Sequence, residues 1–135
     1  MCTSAIDSRN KAALRSAVGN LCGALAAAFF GAVYEHFSFG VYSYFMLYAF
    51  AAPLITGLLL LILGMTNRPP RRLSLNLINS ASATFAVGCA AAGVVEIYGT
   101  ENKFLKVYFI VGALLAVIAA AAYIKENSVK QKAVQ

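Results

Sequence analysis

Four apolar runs, each about 20 residues long, constrain this chain more than any other feature of it. They cover Leu14–Tyr34, Val41–Met65, Leu75–Val95 and Val107–Ile124. A helix rises about 1.5 Å per residue, so a run of that length crosses roughly the 30 Å hydrocarbon core of a bilayer. Strands would need only about 10 residues each and would alternate polar with apolar side chains. No such alternation is present. A helix also pairs every backbone polar group within its own segment, as lipid requires. The expected fold is therefore all-α: an integral membrane bundle of four transmembrane helices, 14–34, 41–65, 75–95 and 107–124, forming one domain over residues 1–135.

Composition agrees with this reading. The chain is 61% hydrophobic and only 12% charged, against about 25% charged residues in soluble domains. A soluble fold of 135 residues has no interior large enough for that much apolar surface, so the bilayer must do the solvating. The first run is longer than the apolar core of a secretory signal and ends in no Ala-x-Ala site, so it is read as a spanning helix.

The net charge of +6 reflects topology and does not point to nucleic acid. Arg9, Lys11 and Arg15 precede the first run, and Arg68, Arg71 and Arg72 fill the link between the second and third. Lys125, Lys130 and Lys132 follow the fourth run, whereas the other two links carry only Lys103 and Lys106. Cations favour the cytoplasmic side of a membrane. The nine-to-two split predicts a multi-pass protein of a plasma or inner membrane, with both termini cytoplasmic. The polar tail from Glu126 is expected to fray.

A shift of 61 residues overlays the two halves, placing Gly31–Glu35 on Ala92–Glu96. Each half then holds two helices. The two tandem hairpins would be related by a pseudo-twofold axis along the membrane normal. The overlay also aligns two stripes with a residue at every fourth position. One is Gly19, Gly23, Ala27, Gly31 and Glu35; the other is Ser80, Thr84, Gly88, Ala92 and Glu96. Residues four apart share a helix face. Small residues on one face let membrane helices approach closely. Gly19, Gly23, Ala27, Gly31, Gly88 and Ala92 are thus expected to form packing seams, within the chain or between copies of it.

Candidate functional residues are few. Glu35 and Glu96 end the two stripes at the outer surface, where a carboxylate opposes the helix dipole. Together they suggest an acidic mouth for cations, with solvated interface residues as the alternative. His36, the single histidine, would join them in any metal site, but one imidazole is a thin basis for one, and no metal or cofactor is predicted. Most of the aromatic residues crowd the outer side. Tyr44 and Tyr48 would line a cup for an apolar or cationic ligand there, or belong to a thick anchoring belt. Asn20, Asn76, Asn79 and Thr84 form a polar stretch in the inner half of the membrane. Pro53 lacks an N–H and should leave the Ala49 carbonyl unpaired, kinking the second helix. Cys2, Cys22 and Cys89 have no metal or redox spacing.

The segments Glu35-His-Phe-Ser-Phe-Gly-Val-Tyr-Ser43, Phe50-Ala-Ala-Pro53 and Gly93-Val-Val-Glu-Ile-Tyr-Gly-Thr100 resemble a family of small bacterial four-helix membrane proteins without an assigned function. The resemblance implies a bacterial inner membrane and nothing about activity. The first helix has no mid-membrane glutamate of the small multidrug transporter kind. The third lacks the Gly/Thr/Phe/Ser-rich pattern of fluoride channels. No nucleophile–base pair, phosphate loop or two-histidine helix points to an enzyme. The expectation is a small channel or carrier working as a homo-oligomer. The alternatives are an anchor or a quinone- or haem-binding subunit of a larger membrane complex, or a structural or regulatory membrane protein.

Overall fold

A computed structural model describes residues 2–37, 43–66, 68–99 and 103–132. The described residues form five helices, α1 (Cys2–Phe37), α2 (Tyr44–Tyr48), α3 (Ala51–Met65), α4 (Arg72–Ile97) and α5 (Leu105–Lys132). With α2 and α3 taken as one crossing, four segments are long and apolar enough to span a membrane. The fold is an all-α four-helix bundle, as its apolar runs require.

The helices outrun the apolar runs at their polar ends. α1 begins twelve residues before Leu14, and Asp7 and Lys11, one turn apart, pair at 2.8 Å on that extension. Over its described residues, 126–132, the tail is helical rather than frayed. α5 stays helical to Lys132, and on it the Glu126 carboxylate accepts the Arg71 backbone N–H at 3.1 Å. The Tyr123 hydroxyl also donates to the Arg68 carbonyl at 3.2 Å. The link between α3 and α4 is thereby fastened to the end of α5.

The second crossing is broken rather than merely kinked. Residues 41 and 42 of its expected start lie outside the described residues. Ser43 caps α2 by accepting the Met46 N–H at 3.4 Å. The chain then turns at Ala49 and Phe50 before α3 begins. Pro53 stands in the first turn of α3, where a missing N–H costs no helical bond. The regular ladder resumes with Leu54 N–H donating to Phe50 at 3.1 Å.

Packing follows two hairpins, with α1 against α3 and α4 against α5, joined along α3 and α4. Most of what is buried is small: Ala13, Ala17, Ala24, Ala49, Ala81, Ala92 and Ala119, with Met46, Leu60 and Leu75 the larger exceptions. Among the described residues, Leu60, Leu75 and Ala17 make the continuous apolar core, with Leu61 and Ile78 packed against it. Large apolar side chains such as Leu25, Phe29, Ile55, Val117 and Ile118 point outward. Lipid tails are as apolar as leucine, so burying large side chains gains little and close backbone approach gains more.

Between α1 and α3 the close approaches fall on glycines that the two stripes do not contain. A Cβ at Gly57 would lie 2.9 Å from Leu21 Cγ and 3.2 Å from the Ala17 carbonyl; at Gly64 it would lie 3.2 Å from Leu14. These two residues, with Pro53 and Leu60, are the buried face of α3. In the other hairpin, Gly88 is pressed against Tyr108 and Gly112 against the Phe85 ring. Because α1 packs on α3 and α5 on α4, two clefts remain, one between α1 and α4 and one between α3 and α5. Ser82, on the central seam, lines both.

Candidate functional site

The α1/α4 cleft holds the most polar chemistry inside the span. It measures about 480 Å³ and is walled by Ser16, Gly19, Asn20 and Gly23 of α1 and by Asn79, Ser82 and Ala86 of α4, with Pro53 beneath. Asn20 lies six residues inside Leu14, where the first apolar run begins, roughly 9 Å of helix, so the cleft opens within the apolar span. Asn20 Nδ2 donates to Asn79 Oδ1 at 2.8 Å and to the Ser16 carbonyl at 2.9 Å. The Ser16 hydroxyl meets both amide atoms of Asn79, at 2.7 and 2.9 Å. Ser82 Oγ donates to Asn20 Oδ1 at 3.2 Å. Four side chains on two helices thus satisfy most of one another's hydrogen-bonding capacity, which lipid would otherwise leave unmet.

Two of the four expected inner polar residues belong to this cluster, and two do not. Asn76 is exposed on the first turns of α4. Thr84 Oγ1 donates to the Ser80 carbonyl of its own helix at 2.7 Å, the usual way a membrane helix absorbs a hydroxyl. Ser16 and Ser82 complete the cluster. Sequence reasoning passed over Ser16, although it stands one helical turn from Asn20 and so shares its face.

The expected seam divides along its length. Gly31 packs on the Met46 backbone, where a Cβ would lie 3.2 Å from the Met46 carbonyl oxygen, and Ala92 is buried. Gly88 meets α5, and Ala27 is half-buried. Gly19 and Gly23 touch nothing: a Cβ on either would find no atom within 4 Å. The stripes of α1 and α4 therefore do not close on each other in this fold, and the cleft between them stays open beside two glycines.

At the aromatic end the organising residue is Met46. It is fully buried, held between Gly31 of α1 and Gly93 of α4, where a Cβ would lie 2.8 Å from Met46 Cβ and 2.9 Å from its N. Beside it, Ser43 Oγ donates to Glu96 Oε2 at 2.5 Å. The same hydroxyl thus caps α2 and binds the carboxylate, tying the short helix to the end of α4. Glu35 instead walls a small cavity of about 120 Å³ with Ala28, Gly31, Met46 and Phe50. That volume is well below the roughly 300–1,000 Å³ of ligand pockets. The two glutamates thus stand in different surroundings, Glu96 against the Ser43 hydroxyl and Glu35 beside an apolar wall.

His36 is exposed, its ring edge-on to Phe37 at 5.6 Å. Tyr44 and Tyr48 are 75% and 60% exposed, so within one chain they face the surroundings in the manner of an interfacial belt. Phe45, Phe109 and Phe85 form an aromatic chain, with centroids 6.0 and 6.5 Å apart along it, its Phe45 end exposed and the other two rings half-buried. Among the described residues, no three of His, Cys, Asp and Glu converge on a point that would hold a metal.

No family model, no curated protein and no solved structure matches this chain.

Proposed function

We propose that this chain is a small transport protein of a bacterial inner membrane, a channel or carrier for a cation or a small cationic solute, that works as a homo-oligomer. One observation carries the reading: a cleft with a polar floor and two unfilled glycines opens sideways at hydrocarbon depth. Lipid tails offer polar atoms nothing, whereas a helix of a second copy can lie against Gly19 and Gly23 as small-residue seams allow. Assembly would turn a lateral cleft into an enclosed path. Both termini would be cytoplasmic, by the bias of cations to that end. Glu35 and Glu96 would stand at the opposite mouth, where carboxylates collect cations.

The test begins with the mass of the purified particle in mild detergent. An oligomer is expected, and Gly19→Leu with Gly23→Leu should reduce it to a helical monomer, because each site has open space at its Cβ. In vesicles the same pair should abolish flux, and Glu35→Gln with Glu96→Gln should change its rate or its pH dependence. A wild-type protein that is monomeric, or a leucine pair that leaves the particle mass unchanged, overturns the assembly and the path built on it.

A further inference from the structure

The second cleft, between α3 and α5, has a different chemistry. It measures about 490 Å³ and is almost wholly apolar, with Ala52, Ile55 and Leu59 on one wall, Ala116 and Ala120 on the other, and Tyr123 at its end. From Ala52 to Leu63 the α3 wall runs eleven residues, roughly 16 Å. One leaflet contributes half of a hydrocarbon core of about 30 Å. The cleft is therefore as long as one leaflet is deep, and it begins at the basic end of the bundle.

What stands at that end is set by two hydrogen bonds already described. Tyr123, which lines the cleft, donates to the Arg68 carbonyl, and Glu126, one turn further along α5, accepts the Arg71 N–H. The link carrying Arg68, Arg71 and Arg72 is thus held at the cleft's mouth, and Lys125 lies between Tyr123 and Glu126 along α5. All four cations are exposed. Among the described residues, none of their side chains has an ion-pair partner. Among the described residues, Glu126 is the one carboxylate tied to this link, through the Arg71 backbone.

We propose that the α3/α5 cleft is a site for an anionic phospholipid of the basic-side leaflet, with an acyl chain along the apolar groove and the phosphate headgroup among Arg68, Arg71, Arg72 and Lys125. The groove supplies length and an apolar lining, which every phospholipid satisfies. The cations supply selection, since basic pockets between membrane helices on one face favour anionic headgroups. A second copy's helix would fill the groove equally well but would leave the four cations without counter-charge.

The experiment uses the full chain, stripped of lipid in detergent and titrated with phosphatidylglycerol or phosphatidylcholine of the same acyl chains, with bound lipid counted by native mass spectrometry. Each arginine near the headgroup is worth about fivefold in affinity, so phosphatidylglycerol should bind at least about tenfold tighter. Arg68→Gln, Arg71→Gln and Arg72→Gln together should bring the two lipids to within about twofold. Ala120→Phe, at an exposed groove position that keeps every cation, should weaken both lipids while circular dichroism stays unchanged. Equal binding of the two lipids overturns the proposal, as does a preference that survives the triple replacement. So does a change of oligomeric state in Ala120→Phe with lipid binding intact, because the groove would then belong to a protein partner. The lipid-binding readouts are independent of flux and of the α1/α4 cleft.

Discussion

A single methyl group at Gly93 should be enough to loosen the aromatic end of the bundle. Its Cβ would stand 2.8 Å from Met46 Cβ, 2.9 Å from Met46 N and 3.0 Å from Met46 Cα. Non-bonded carbons rest at about 3.5–4.0 Å. Two of these three atoms are backbone, and Met46 is 1% exposed, so the side chain cannot swing aside and α2 itself must move. Overpacking of this kind costs about 1–3 kcal/mol. Alanine also gains about 0.8–1.0 kcal/mol of helix propensity over glycine, which masks part of that cost. Gly23→Ala gains the same propensity at a site with nothing within 4 Å, so the difference between the two variants isolates the clash. Gly93→Ala should therefore be less stable than Gly23→Ala by about 1–3 kcal/mol, roughly 5- to 150-fold in the unfolding equilibrium. The assay is reversible unfolding in mixed micelles on raising the fraction of dodecyl sulfate, followed by circular dichroism, with one protomer per micelle. Equal midpoints for the two variants would refute the clamp of α2 between α1 and α4.

Further outcomes follow from the polar contacts. Asn79→Ala removes the bonds to Ser16 and Asn20. At about 0.6 kcal/mol for an average interhelical bond and about 1.7 at most, the loss should be about 1–3 kcal/mol. A double cycle with Asn20→Ala should show a coupling of at least about 0.5 kcal/mol, and strict additivity would deny the network. Ser43→Ala removes the cap of α2 and the donor to Glu96, a change worth about 0.5–2 kcal/mol for the cap alone. Hydrogen exchange at α2 amides should speed up several-fold or more, and Ser43→Thr should restore protection; unchanged exchange in Ser43→Ala would remove Ser43 from its role.

Much of the fold is legible in the chain because its largest energies are local. Twenty apolar residues in a row leave a backbone one solution in lipid, the helix, and the four runs appear in the structure at their expected places. The boundaries were less legible. Extension of α1 to Cys2 and of α5 to Lys132 depends on polar residues that propensity alone treats as marginal. On α5 it brings Glu126 to the Arg71 backbone 55 positions away. The break before Pro53 was signalled by the proline. Its place at Ala49 and Phe50 follows from Ser43 capping a separate short helix.

The candidate site was readable only in part. Asn20 and Asn79 stood out as amides inside apolar runs, and they meet. Asn76 and Thr84 have the same composition signal but lie on other faces of α4, where they are exposed or bonded to their own backbone. Gly57 and Gly64 share a face seven residues apart, a signal present in the chain but hidden in a leucine-rich run. Gly19 and Gly23 carried the familiar spacing, yet it is the leucine-lined glycines of α3 that close on α1.

Residue order alone determined the four crossings, the helical class and the separation of a basic end from an aromatic one. Each of these depends on summed transfer energies or on charge counts along the chain. The pairing of helices was decided only in three dimensions. Small residues are common on every helix here, and which of them meet depends on how four cylinders share their contacts. That choice puts α1 on α3 and α5 on α4. It leaves one cleft with a polar floor and one with an apolar lining, on either side of Ser82.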